Sequence, residues 1–278
     1  MSRKLPLSCA QDFAKIHNGF AVCILVIISA FNYSCNKAVL KNASVEATRP
    51  PIIYGNNRAL KAGDHQSVSV EFTRNNYDIN TSLQGHSKLE DDPEFSADYR
   101  LRGNTWGLQF NIVTVRESGF HSGAGIGAQG FPYVFLSMGL NKEYFELGSA
   151  ALLGFPSLKI DYEGYYENDD GEISGGFSGS ESFGSISAYL YTSIYFNRFA
   201  LNYVVSYTTQ SRNFTFSEGD CTGCEISVFL KTPDLYIHDI GIVYVNNHIK
   251  YRIGLNQIRS YELPRNYWGT SFQAAWLW

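Results

Sequence analysis

From Val68 onward the chain alternates apolar and polar residues with a period of two. Val68, Val70 and Phe72 oppose Ser67, Ser69 and Glu71; Phe95, Ala97, Tyr99 and Leu101 oppose Ser96, Asp98, Arg100 and Arg102. Trp106, Leu108, Phe110 and Ile112 oppose Gly107, Gln109 and Asn111. Leu158, Ile160 and Tyr162 oppose Lys159, Asp161 and Glu163; Ile249, Tyr251, Ile253 and Leu255 oppose Lys250, Arg252, Gly254 and Asn256. Successive side chains of a strand point to opposite faces, so each segment predicts a strand with one apolar and one polar face. Repeated over most of the chain, this is the pattern of an antiparallel β-barrel spanning a membrane.

The connections sort into two kinds. Tight ones are expected at Gly103-Asn104, Gly130-Phe131-Pro132, Gly154-Phe155-Pro156, Asn197-Arg198 and Asn246-Asn247. Longer ones are expected at 74–94, 116–121, 167–183, 209–226 and 258–267, with a short one at Asn141-Lys142. In chain order they alternate, and membrane barrels place short turns on the periplasmic side and longer loops outside. The rhythm predicts about twelve strands: 66–73, 95–102, 105–115, 122–129, 131–140, 143–152, 157–166, 184–196, 198–208, 227–245, 248–257 and 268–278. Ten or fourteen also fit, because Thr232-Pro233-Asp234 interrupts the tenth segment and Pro cannot donate to a ladder. An even number is expected to put both termini in the periplasm.

The last twelve residues, Tyr267 to Trp278, carry Trp268, Thr270, Phe272, Ala274, Trp276 and Trp278 on one face. In a bilayer that face meets lipid, with Trp at the interfaces. The segment resembles the C-terminal strand by which bacterial outer-membrane β-barrels are recognised for insertion, with an aromatic final residue. It departs from that family at Gln273, where Gly is frequent. The resemblance implies the bacterial outer membrane, with its lipid and the barrel-assembly machinery as partners. Aromatic girdles are then expected at both interfaces, anchored by Trp106, Trp268, Trp276 and Trp278. The lower belt would hold Trp106, Phe131, Phe155, Phe196, Phe199, Tyr251, Trp276 and Trp278; the upper would hold Phe95, Tyr162, Tyr166, Tyr207 and Trp268.

Composition agrees with an all-β chain: 44% hydrophobic and 17% charged, with 19 Tyr, 19 Phe and 25 Gly among 278 residues. Past the N-terminal segment no apolar run approaches the roughly 20 residues a helix needs to span a bilayer. A sheet in lipid must close on itself. Residues 1–34 read as an export signal: Arg3, Lys4 and Lys15 flank an apolar core from Phe20 to Phe31. Asn32-Tyr33-Ser34-Cys35 resembles a bacterial lipoprotein box in its small residue before Cys, and departs from it at Asn32 and Tyr33. Cys35 is the lipidation candidate, with cleavage nearby and no lipid as the alternative. Residues 35–64 read as a polar periplasmic tether, and 65–278 as the barrel. In an oxidising compartment Cys221 and Cys224 most simply form a small disulfide.

Function must be argued from the interior. Candidate lumen charges are Glu71, Asp98, Arg100, Arg102, Glu146, Lys159, Asp161, Glu163, Lys250 and Arg252. On a twelve-fold ring Arg100, Arg102, Lys250 and Arg252 would face Glu146, Asp161 and Glu163. Such opposed walls would select small polar solutes in a narrow passive channel. The bland alternative pairs these charges locally, as Glu71 with Arg100 or Lys159 with Asp161. A barrel that anchors surface loops, with a closed lumen, is the second class. A lipid hydrolase is the third, but His121 and Ser122, or His238 and Asp239, are sequence neighbours on opposite faces of a strand. No cofactor or metal motif is present, and the net charge of −4 without a basic cluster argues against nucleic acid.

Overall fold

A computed structural model describes residues 37–75, 79–87, 95–168, 171–182, 184–210, 213–217, 225–230, 232–246 and 248–278. Among them seventeen strands form two sheets. Ten close an antiparallel barrel: β2 (Gly63–Asn75), β5 (Asn104–Val115), β6 (Phe120–Gln129), β7 (Pro132–Asn141), β8 (Phe145–Gly154), β11 (Ser185–Phe196), β12 (Phe199–Gln210), β15 (Leu235–Asn246), β16 (Ile249–Arg259) and β17 (Tyr267–Leu277). The last strand returns to the first, with Phe272 opposite Phe72 and Leu277 opposite Ser67. The other seven lie in the order β10 (Gly171–Ser182), β9 (Ser157–Asn168), β1 (Lys37–Thr48), β4 (Phe95–Arg102), β3 (Ile79–Ser87), β14 (Glu225–Leu230) and β13 (Asn213–Ser217).

The alternation fixes which face of each barrel strand points outward. Leu136, Leu190 and Ile253 are 64–67% exposed, whereas their inward neighbours Phe135, Tyr189 and Arg252 are buried. An outer face this apolar is the surface expected against hydrocarbon. Strands of 10–13 residues rise about 34–44 Å, enough to cross a hydrocarbon core of about 30 Å when tilted.

The two ends of the barrel differ. At one end the connections are short: 116–119, 142–144, 197–198 and 247–248. At the other lie the tight turn at 130–131, the loop 260–266, and three excursions carrying β3–β4, β9–β10 and β13–β14. The second sheet therefore sits at the long-connection end. Val45, Ala47, Ala97, Tyr99 and Leu101 on its inner face join one apolar cluster with Phe131, Ile258, Leu263 and Tyr267 at the barrel mouth. Its other face is polar, with Ser44, Asp98, Arg100 and Arg102 exposed.

Three expectations change. The segments 95–102 and 157–166 are strands of the second sheet, so the barrel has ten strands, one of the counts the rhythm allowed. A period of two marks a two-faced strand but not what covers its apolar face; here protein covers Tyr99 and Leu101 completely. Counting those two segments as barrel strands inverts every strand between them. Hence Trp106 and Phe155 lie at the long-connection end, and 116–121 and Asn141-Lys142 at the short one. Phe131 points inward and is buried rather than joining a belt, while Tyr162 and Tyr166 sit on β9, off the barrel. The third change concerns 35–64: its described part is a strand, β1, followed by a segment that enters the barrel.

Candidate functional site

The segment from Arg49 to Arg58 runs through the lumen from the mouth to the short-turn end, where β2 begins. β1 runs down to the mouth beside β4, in parallel register up to Thr48 opposite Arg102. Pro50 and Pro51 follow, and prolines in succession favour an extended chain without requiring ladder partners. Arg49, Ile52, Ile53, Tyr54 and Asn57 are each at most 3% exposed.

The inner wall holds this segment at three levels. Near the mouth, Arg49 Nη1 donates to Asn256 Oδ1 (3.1 Å), and Tyr189 Oη donates to the Pro51 carbonyl (2.7 Å). At mid-height Tyr54 Oη donates to Glu71 Oε1 (2.9 Å), and Asn202 Nδ2 donates to the Tyr54 carbonyl (3.2 Å). The Arg252 guanidinium lies 3.7 Å from the centre of the Tyr54 ring. Arg252 in turn donates to Asp239, to Asn202 Oδ1 (3.1 Å) and to Ser271 Oγ (3.0 Å). Cβ atoms added at Gly241 and Gly254 would each come within 2.5 Å of that guanidinium, so two inward glycines make its room.

Lower down, Gly55 and Asn57 take positive φ angles of 70° and 58°. A Cβ at position 55 would lie 2.7 Å from the Tyr191 ring, so only Gly fits both the angle and the space. The bend turns successive backbone N–H groups toward one carboxylate, an anion-binding nest. Glu146 fills it, accepting from Asn56 N at 3.0 Å to each oxygen and from Asn57 N at 2.9 Å. Asn56 Nδ2 and Tyr195 Oη donate to the same carboxylate. Asn141 brackets the exit, donating to the Arg58 carbonyl and accepting from Leu60 N, both at 2.9 Å.

No protein-family model matches the chain, and no curated protein matches it in sequence. Solved structures of barrel proteins do resemble it. An outer membrane channel from Pseudomonas putida F1 shares 10% identity over 82% of this chain and 100% of its own, with a TM-score of 0.41. The Pseudomonas putida toluene transporter TodX shares 8% over 81% and 95%, with a TM-score of 0.35. NanC porin shares 6% over 75% and 98%, with a TM-score of 0.33. At these values nothing about transport passes from them to this chain.

Of the charges expected in the lumen, Glu71, Glu146, Lys250 and Arg252 face inward and are buried. Asp98, Arg100 and Arg102 lie on β4, outside the barrel, exposed on the polar face of the second sheet. There Arg102 donates to Glu46 at 2.6 Å, and that hydrogen bond holds its guanidinium above the ordinary value. Lys159, Asp161 and Glu163 lie on β9, also outside the barrel. The opposed walls therefore reduce to Glu146 against Lys250 and Arg252, with the lumen segment between them. Trp106, Trp268, Trp276 and Trp278 all face outward, 49–68% exposed. Cys35, Cys221 and Cys224 lie outside the described residues.

The alternation did not reveal Arg49, Tyr54, Asn56, Asn57, Asp239 or Asn202. The signal for the first four was there: Ile52-Ile53-Tyr54 is an apolar core inside a stretch otherwise polar enough to be a tether, followed by Gly-Asn-Asn turn chemistry. His121 points inward, 3.1 Å from Tyr191 Oη, with its neighbour Ser122 exposed on the outer face. His238 bonds Tyr203 Oη on the outer face while Asp239 points in.

Proposed function

We propose that this chain is a bacterial outer-membrane barrel that anchors the second sheet at the cell surface, its lumen closed by residues 49–58. The carrying observation is the seating of that segment by side chains of β2, β7, β8, β11, β12 and β16. β1 adds to the closure. It lies between β4 and β9 in the second sheet, so withdrawing the segment would also break those pairings. The apolar outer face and the outward Trp side chains support membrane insertion, and the short turns favour a periplasmic position for the other end of the barrel.

A second reading is a passive channel for small polar solutes, favoured by the polar vestibule below Tyr54 at the short-turn end. Conductance in a planar bilayer separates the two. The full chain, shown to be inserted, should be silent, and a chain lacking residues 37–58 should give discrete steps. Steps from the full chain at low potential would overturn the closed-lumen reading in favour of the channel.

A further inference from the structure

The lumen segment leaves a blind pocket beneath it, opening at the short-turn end. Tyr54, Asn56 and Arg58 of the segment and Lys250, Asn111 and Gln273 of the wall line it. Its volume is about 30 Å³, room for about two water-sized groups, or one carboxylate.

Lys250 is only 5% exposed, yet among the described residues its ammonium makes a single long hydrogen bond, 3.5 Å to the Asn56 carbonyl. An ammonium has three donors, and a buried one requires partners. Arg58 is a second cation within electrostatic range of it. The Glu146 carboxylate acts electrostatically on Lys250, but its oxygens already accept from Asn56, Asn57 and Tyr195. On the wall, Asn111 Oδ1 and Gln273 Oε1 are buried without hydrogen-bond partners among the described residues. Rotating either amide about its last bond turns N–H groups to the same place. Two cations and two amides thus converge on one small space.

We propose that this pocket takes the oxygens of a small oxyanion, a carboxylate or a phosphate, presented from the short-turn side. Lys250 and Arg58 supply the charge, and Asn111 and Gln273 supply orientation through their amides. The pocket is too small for a larger ligand to enter whole, which limits it to one anionic group. This inference rests on the same seating of residues 49–58 as the closed-lumen reading.

The test is isothermal titration of the refolded full chain in detergent with acetate and, separately, inorganic phosphate, at fixed ionic strength. Saturable binding of one of them is expected, and the preferred anion tells the two sources apart. Lys250→Gln should weaken it at least tenfold, and Arg58→Gln severalfold. Lys142→Gln, an exposed change at the same end of the barrel, should leave it unaltered. Absence of saturable binding for both anions would overturn the proposal. So would equal affinity in Lys250→Gln with circular dichroism matching the parent; should that variant not fold, equal affinity in Arg58→Gln serves instead. Titration reads the pocket and bilayer conductance reads the closure, so failure of one is told from failure of the other.

Discussion

The carboxylate of Glu146 is held by the backbone N–H of Asn56, 3.0 Å from each of its oxygens. With Asn57 N and Asn56 Nδ2 also donating, one wall residue accepts from both backbone N–H groups of the bend. Glu146→Ala would leave these donors buried without an acceptor, at about 1–3 kcal/mol for each unmet group. The expected outcome is a lower thermal unfolding transition, with brief current openings under an applied potential. Glu146→Gln, which keeps one oxygen acceptor, should lose less. An Ala variant with the parent's transition and no openings would show that the segment is held elsewhere.

The pair Arg252–Asp239 is fully buried, and its guanidinium also covers Tyr54. Removing one member strands the other's charge, at about 3–5 kcal/mol, whereas replacing both with apolar residues is often close to neutral. Asp239→Leu should therefore destabilise strongly, and Asp239→Leu with Arg252→Met should recover much of the loss. The coupling is read from a double-mutant cycle of denaturant unfolding. Additive losses would mean that the two charges act independently.

How much of this was readable from the sequence depends on what each pattern encodes. Alternation at Trp106–Ile112 and Ile249–Leu255 gave barrel strands, because lipid on one face and polar groups on the other produce a period of two. The same period at 95–102 encodes a different burial: Ala97, Tyr99 and Leu101 meet protein, not lipid. The polar character of 35–64 hid its role, because a segment inside a polar lumen is itself rich in polar partners. Asn56, Asn57 and Arg49 bond to the wall with groups that, in a sequence, resemble those of a solvated linker.

The path of the chain makes a topological prediction. Ser44 is exposed on β1 at the long-connection end, and Lys142 is exposed in a turn at the other. With all native cysteines replaced by Ser, Ser44→Cys should react with a membrane-impermeant maleimide on intact cells, and Lys142→Cys only after permeabilisation. The reverse pattern would place the second sheet in the periplasm and remove the surface-anchor reading.

Trp278 closes the barrel seam with both backbone groups and its side chain. Its N–H donates to the Gln66 carbonyl (3.1 Å), its carbonyl accepts from Gln66 N (3.0 Å), and its indole donates to Gln66 Oε1 (2.9 Å). The indole is half exposed on the outer face, where an amphipathic ring suits a membrane interface. Trp278→Ser keeps the backbone pairing but removes the ring; Gln66→Ala removes only the side-chain bond, worth about 1 kcal/mol. Protease-resistant, membrane-inserted protein in cells is the measurement. If the terminal aromatic is what assembly recognises, a several-fold loss is expected for Trp278→Ser and little change for Gln66→Ala. Equal small losses in both would reduce Trp278 to a seam contact, and unchanged insertion of Trp278→Ser would end the terminal-strand reading.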